Sequence, residues 1–169
     1  MKRLVLCLVI LILSTQTVHA TGTTAGFSES SVTGCYVASL SGFVLPDPSN
    51  PLLQLPIATQ IRFCADGKGS ATAKGKQNIG GLCIIRQKGT AEYSVKRNGM
   101  GKVKATFENM AVSPGCGSLT PPIGLGEISI FKLKFGITRS GCLPTIGTEL
   151  LPEGGLPIPI VTEGEACPQ

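Results

Sequence analysis

The chain has 169 residues, a formal net charge of +5, 22 glycines, 12 prolines and no tryptophan. This length suits a single ordinary domain, and so many glycines argue against long helices. The only histidine is His19. Beyond the first twenty residues, a triad-type hydrolase therefore lacks its usual base, and a zinc or copper site lacks its commonest ligand.

The first twenty residues have the three parts of a secretory signal peptide. Lys2 and Arg3 supply positive charge, residues 4–13 are apolar, and Val18-His19-Ala20 forms a small-residue cleavage site. The apolar run, of roughly 10 residues, is shorter than the ~20 needed to cross a bilayer. We therefore predict cleavage after Ala20, no transmembrane segment, and a mature protein in the periplasm or the extracellular medium.

Cleavage removes Cys7 and leaves an even number of cysteines. Removing 20 of the 169 residues leaves 149, with a net charge of +3 because Lys2 and Arg3 are lost. The remaining cysteines are Cys35, Cys64, Cys83, Cys116, Cys142 and Cys167. In an exported protein this set predicts three disulfides, each stabilising the fold by roughly 2–4 kcal/mol. The spacing leaves every pairing open.

The leader and the first strand come next in the chain. Residues 21–33 are small and polar without periodicity, which predicts a flexible leader before a single domain at 34–169. Residues 34–44 alternate as a first strand does. The proline-rich stretch 45–56 ends this strand, because proline cannot donate a hydrogen bond in a central strand.

Two predicted hairpins share one turn pattern. Residues 63–69 and 95–101 both read apolar-x-x-[Asp/Asn]-Gly-x-Gly. The first glycine of each copy tolerates the positive φ of a tight hairpin turn, and the second permits a twist or bulge. The residues that predict the flanking strand faces are Ile57, Ile61, Phe63, Ala91, Tyr93, Val95, Val103, Ala105 and Phe107.

The last third of the chain is less regular. Residues 127–137 predict the longest strand, but the apolar alternation changes phase at Ile130-Phe131, which indicates a β-bulge or a bend. Residues 143–169 are rich in proline and glycine, with 156–161 as a possible closing strand. We predict an all-β fold, a small antiparallel calycin-like barrel held by disulfides, with a β-sandwich as the alternative.

Three segments carry a resemblance to known proteins. Residues 34–36, 63–69 and 89–101 read G-x-Y, F-x-x-D-G-x-G and G-T-x-x-Y-x-V-x-x-x-G-x-G. In this pattern the sequence resembles uncharacterised small secreted bacterial β-barrel proteins with repeated D/N-G-x-G hairpins. These are similar in layout to calycin-like barrels, including the allene oxide cyclase barrel. The resemblance covers residues 34 to about 107 and implies architecture. No ligand or catalytic residue of the cyclases matches a position here.

The apolar positions also lead to a functional prediction. Candidates for the barrel lining are Phe63, Tyr93, Val95, Val103, Phe107, Phe131, Leu133 and Phe135. In a small barrel such residues either fill the interior or enclose one small ligand. We predict a non-enzymatic barrel that binds a small apolar ligand or serves as an envelope interaction module. The alternatives are an isomerase or cyclase acting on a reactive apolar substrate inside the barrel, and a structural or adhesive surface module. We predict no catalytic, cofactor-binding or metal-ligating residue.

Lysines on polar strand faces are the remaining candidates for binding. They are Lys96, Lys102, Lys104, Lys132 and Lys134. Such a face can meet nucleic acid, lipopolysaccharide or an anionic membrane surface. Lysines in these positions also form solvated faces and protect edge strands from pairing with other chains. Nucleic acid is disfavoured because no platform of aromatic side chains is evident.

Overall fold

The computed structural model describes residues 26–44, 54–119, 122–152 and 160–169. Its strands are β1 (Thr33–Val44), β2 (Leu55–Asp66), β3 (Ser70–Ile79), β4 (Cys83–Val95), β5 (Met100–Val112), β6 (Ile128–Gly136), β7 (Leu143–Pro152) and β8 (Ile160–Pro168). Each strand pairs antiparallel with its neighbour in sequence, and β8 pairs with β1. The predicted all-β antiparallel barrel is confirmed, and the alternative sandwich is wrong because the single sheet closes on itself.

Close approach between β1 and β8 closes the barrel. Their register runs from Tyr36 opposite Pro168 to Val44 opposite Ile160. Two glycines make this approach possible. A Cβ on Gly42 would meet the carbonyl oxygen of Val161, and a Cβ on Gly164 would meet that of Ser39. Closure leaves the sheet without an open edge strand.

The two predicted hairpin turns are present. Gly67 and Gly99 have positive φ values of 74° and 81°, as the pattern requires. Asp66 stabilises the first turn because its Oδ1 accepts hydrogen bonds from the backbone N–H groups of Lys68, at 2.7 Å, and Ser70, at 2.9 Å. These bonds hold the pKa of the Asp66 carboxyl below its ordinary value.

The second glycines of the two copies serve different purposes. Gly69 has a φ of 102°, a conformation that side chains rarely adopt. Gly101 has no positive φ, but the ring of Phe135 occupies the space where a Cβ would lie. One glycine thus allows a backbone conformation and the other admits an aromatic ring from β6.

The phase change in β6 has a different cause from the one predicted. β6 pairs with β5 without interruption, and Ser129 occupies the inward position before Phe131. Ile128 and Ile130 face outward, so two outward isoleucines produced the apparent slip. A register shift does occur on the other side of β6, between Lys132 and Leu133 in the pairing with β7. The extra residue belongs to β7.

Prolines concealed part of the strand pattern near the C-terminus. The described residues after 142 form two strands, β7 and β8, whereas the sequence predicts one closing strand at 156–161. Most of that predicted strand lies outside the described residues, and β8 begins at Ile160. Pro144 and Pro168 lie at or near strand ends, where a missing donor is tolerated.

The described disulfides join cysteines that are consecutive in sequence. They are Cys35–Cys64, Cys83–Cys116 and Cys142–Cys167, with sequence separations of 29, 33 and 25 residues. The first links directly opposite positions of β1 and β2. The second is fully buried and fixes the 3₁₀ helix Pro114–Ser118 against the start of β4. Loops of this length correspond to about 3–4 kcal/mol per bridge in the chain-entropy treatment.

Residues 26–33, the described part of the predicted leader, cover the end of the barrel where the two Asp/Asn-Gly turns lie, here called the hairpin end. Val32 is only 2% exposed and belongs to the core. A carboxylate oxygen of Glu29 accepts the backbone N–H of Val95 at 3.1 Å, which lowers the pKa of Glu29. The chain therefore joins the fold ahead of the predicted boundary at Gly34. The two described helices are short 3₁₀ turns, and no described helix could cross a membrane.

Tyr93 connects this cover to the barrel. Its hydroxyl donates to the carbonyl oxygen of Val32 at 2.9 Å and accepts the backbone N–H of Gly67 at 3.0 Å. Burial raises the pKa of this hydroxyl above its ordinary value. One side chain thus fixes both the first hairpin and the segment before β1.

We predict that Tyr93→Phe lowers the free energy of unfolding by about 1–3 kcal/mol, because two backbone groups lose their partner. Tyr36→Phe is the matched control, since the Tyr36 hydroxyl makes only a 3.5 Å contact with the carbonyl oxygen of Thr33. That variant should lose less than about 1 kcal/mol. Urea unfolding of the oxidised proteins measures both values, and equal losses would contradict this role for Tyr93.

Candidate functional site

The interior of the barrel is packed with side chains. The predicted lining residues Phe63, Tyr93, Val103, Phe107, Leu133 and Phe135 surround a cavity of about 60 Å³. Phe131 is buried beside them and meets Phe107 edge to face, with ring centroids 5.7 Å apart. Val95 packs against the same core. The eight predicted residues therefore lie together, and mostly fill the space that they surround.

This cavity is small for a ligand. Its described lining is apolar except for the hydroxyls of Tyr93 and Thr145. An engineered apolar cavity of roughly 150 Å³ holds benzene, and ligand pockets are typically about 300–1,000 Å³. A volume of 60 Å³ falls well below both. A fatty acid or a cyclase substrate enters this cavity only if the core moves apart.

A polar layer lies beneath the cavity, away from the hairpin end. The buried polar side chains there are Thr59, Gln77, Gln87, Asn109 and Thr162. Gln87 donates through Nε2 to Oδ1 of Asn109 at 2.9 Å, and Asn109 donates through Nδ2 to the carbonyl oxygen of Gly124 at 3.0 Å. These bonds attach the loop before β6 to the barrel. Gln87 and Asn109 therefore have a structural role, whereas the buried hydroxyl of Thr162 has no hydrogen-bond partner among the described residues.

The outer surface of the barrel is asymmetric in charge, because its outward basic residues lie mainly on one side. Nine basic residues point outward from five consecutive strands, β2 to β6, and we call this surface the basic band. Its members are Arg62, Lys74, Lys76, Arg86, Lys88, Lys102, Lys104, Lys132 and Lys134, and all are exposed. Four of the five lysines identified from sequence belong to it. The fifth, Lys96, lies in the turn between β4 and β5.

Strand register aligns the cations of the basic band in rows. Arg62 lies opposite Lys74, which lies opposite Lys88. Lys76 lies opposite Arg86 in the next row. Two further like-charged pairs lie across β5 and β6: Lys102 opposite Lys134, and Lys104 opposite Lys132. Like charges at directly opposite positions destabilise a sheet, so this arrangement costs stability.

Acidic partners compensate only part of this charge. Lys88 lies 3.5 Å from a carboxylate oxygen of Glu108, and Lys132 forms an ion pair with Glu149, 2.6 Å apart. Glu92 lies opposite Lys104. On β2 to β6 the outward acids are Asp66, in the turn at the end of β2, Glu92 and Glu108, against nine cations.

The other side of the barrel has the opposite character. The outward residues of β1 carry no charge, and β8 presents Glu163 and Glu165. Between them lie the exposed apolar side chains of Phe43, at 50%, and Val161, at 68%. The barrel thus has a basic side and a neutral to acidic side.

One described group of side chains has the spacing of metal ligands. It consists of Cys142, Glu165 and Cys167, whose ligand atoms lie within 4.8 Å of one another. The two sulfur atoms are joined in a disulfide. As oxidised, this group offers a single carboxylate.

Sequence reasoning missed the β2 to β4 part of the basic band. Arg62, Lys74, Lys76, Arg86 and Lys88 stand at every second position of their strands, which is the signal that could have identified them. The sequence pattern of residues 83–90 does not predict a strand, because the outward Ile84 and the inward Gln87 interrupt the alternation of apolar and polar residues. Without that strand the rows could not be assembled.

Comparison with protein-family models and with curated proteins gives no match for this sequence. The resemblance to small secreted bacterial barrels and to the calycin-like layout therefore remains a prediction.

We predict that Lys76→Gln raises the free energy of unfolding by about 0.2–1 kcal/mol at low salt, because it removes the like-charged pair with Arg86. The gain should vanish near 1 M salt, where the screening length is about 3 Å. Lys88→Gln is the matched control. It removes an ion pair together with the repulsion from Lys74, so little change is expected. A loss of stability in Lys76→Gln would contradict the cost assigned to the row.

Proposed function

We propose that this chain is an exported, non-enzymatic binding protein whose outer basic band, rather than its interior, holds an anionic partner. The observation that carries the proposal is the alignment of like charges in rows across β2 to β6. Protection of edge strands does not account for these residues, since a closed barrel has no edge to protect. A destabilising arrangement without a role in the fold is typical of a binding surface.

The sequence predicted either a carrier of a small apolar ligand or an envelope interaction module. The small interior favours the second. An apolar carrier, or a cyclase that confines its substrate, needs several hundred cubic ångströms. The described core offers about 60 Å³. An envelope interaction module needs no cavity, and neither does an adhesive surface module, which an anionic partner at the cell surface would also suit.

Export is part of the proposal. Disulfides of this kind persist in an oxidising compartment, and the described structure contains three. The signal-like first twenty residues supply a route to such a compartment. A basic band in the periplasm or the medium would face anionic lipid headgroups, acidic polysaccharides and extracellular nucleic acid.

We predict salt-sensitive binding of the oxidised protein to at least one of three immobilised probes: phosphatidylglycerol vesicles, dextran sulfate or oligothymidylate. Raising the salt from 0.05 to 0.5 M, our chosen range, should weaken binding at least roughly tenfold, since binding releases counterions. The double variant Lys76→Gln/Arg86→Gln should weaken binding about tenfold at physiological salt. Biolayer interferometry measures both.

The control for this experiment is Lys96→Gln/Arg97→Gln, which removes the same charge from the turn between β4 and β5 at the hairpin end. It should change affinity less than about twofold, because these residues lie outside the rows. Equal losses in the two double variants would show that net charge alone acts, and would overturn the assignment to the band.

We also predict that palmitate and other long apolar ligands leave the melting temperature unchanged and do not remain bound in native mass spectrometry. The reason is the cavity of about 60 Å³. A stoichiometric complex with a fatty acid would instead establish the carrier function and contradict the choice of the outer surface.

A further inference from the structure

We infer that the partner of the basic band is a flexible, linear acidic polysaccharide laid around the circumference of the barrel. This inference rests on the proposed function and narrows it to one class of partner. It follows from three properties of the band: the direction of its rows, the hydroxyl row beside its cations, and the absence of aromatic side chains from its described outward positions.

The rows run around the barrel, across the strands. The row that begins at Arg62 passes through Lys74 and Lys88 to Glu108 on β5. Adjacent strands are about 4.8 Å apart, so the five strands of the band span roughly 19 Å of curved surface. A partner that contacts the whole band must bend with this curve.

A row of hydroxyl groups lies alongside the cations. Thr72 lies opposite Thr90, and Thr90 lies opposite Thr106. These threonines line a shallow groove of about 640 Å³ together with Arg62, Lys74 and Lys88. Successive outward positions along a strand are about 6.7 Å apart, so the hydroxyl row and the cation row run in parallel at that distance.

This pairing of rows matches the chemistry of an acidic polysaccharide. Guanidinium and ammonium groups bind carboxylate or sulfate, and threonine hydroxyls both donate and accept hydrogen bonds, as sugar hydroxyls do. A polymer that carries both kinds of group along one chain would occupy both rows at once. A polymer that bears only phosphate offers the threonine hydroxyls acceptors but no donors, so it uses only part of their hydrogen-bonding capacity.

A membrane surface fits the band less well. A flat bilayer touches a convex barrel only along a narrow strip, whereas the cations spread over five strands. The exposed apolar residues Ile84, Met100 and Met110 stand near the ends of their strands, and the outward Ile128 and Ile130 form only a small, partly buried pair on β6. Surface helices that bind membranes by contrast bury a continuous apolar face among the headgroups.

Nucleic acid also fits less well. Proteins that hold single strands stack the bases on aromatic side chains. The aromatic residues of β2 to β6 all lie on inward positions: Phe63, Tyr93, Phe107, Phe131 and Phe135. Duplex DNA is too stiff to follow the curve, since its persistence length is about 50 nm.

The test compares Thr72→Val/Thr90→Val with the wild-type oxidised protein. Valine keeps the β-branched shape and the charge of the band while removing two hydroxyl groups. The probes are dextran sulfate, polygalacturonate, neutral dextran, polyphosphate, oligothymidylate and phosphatidylglycerol vesicles. The matched control is Thr72→Ser/Thr90→Ser, which retains the hydroxyls. Circular dichroism and urea unfolding confirm that each variant is folded.

We expect the wild-type protein to bind at least one of the two acidic polysaccharides, and to bind neutral dextran undetectably. The valine variant should lose about threefold or more of this affinity, and should lose less of its affinity for polyphosphate, oligothymidylate and vesicles. The serine variant should retain the affinity. Dextran sulfate and polygalacturonate distinguish a sulfate from a carboxylate as the recognised anion.

Other outcomes separate this inference from the proposed function. If the valine variant binds all polyanions as the wild type does, or if only vesicles, polyphosphate or oligothymidylate bind, the polysaccharide inference is overturned and an anion-binding band remains. If no polyanion binds, both are overturned.

Discussion

Pairing of β8 with β1 closes the barrel, and the distribution of chemistry over the molecule follows from that closure. The pairing depends on Gly42 and Gly164, where any side chain would collide with the backbone of the other strand. Once the sheet is closed, its strands have hydrogen-bonding partners on both sides, and side chains alternate between inside and outside except at the register shifts. Inner positions become a core of fixed volume. Outer positions become rows that continue from strand to strand, so residues far apart in sequence form one surface.

The described core leaves little room because large aromatic side chains fill it. Aromatic rings from β2, β5 and β6 line the same small cavity as the alanines Ala71 and Ala73 of β3, and Phe63 is the register neighbour of Ala73. Even Gly101 serves this packing, since the ring of Phe135 lies over it. A small barrel filled in this way gains rigidity and loses capacity for a ligand. The proposed function therefore places binding on the outer face, where charges can be arranged with less effect on packing.

Local patterns predicted the parts of this fold that depend on local chemistry. The turns at Gly67 and Gly99 follow from the backbone conformation that only glycine adopts easily, and the six cysteines after residue 20 predicted the three bridges. Other parts of the fold were not predicted correctly. The outward Ile130 interrupts the apolar alternation and led to the prediction of a bulge, and the prolines near β7 obscured its strand pattern. Only four of the nine members of the basic band, the lysines on β5 and β6, were identified from the sequence. Its rows are created by register between strands, for example Lys76 with Arg86, and no single stretch of sequence contains that register. The hydroxyl row has the same origin.

The pairing of consecutive cysteines has a consequence for how the chain matures. Cys35 meets Cys64, Cys83 meets Cys116, and only the last pair waits for the C-terminus. If the chain is exported as proposed, with its N-terminus first and Cys7 removed, it presents each pair in full before the next begins. An oxidant that joins each thiol to the first one to follow it therefore produces the native set, without reshuffling by an isomerase. Closure by β8 is then the final event, made on a chain whose earlier hairpins are already linked covalently.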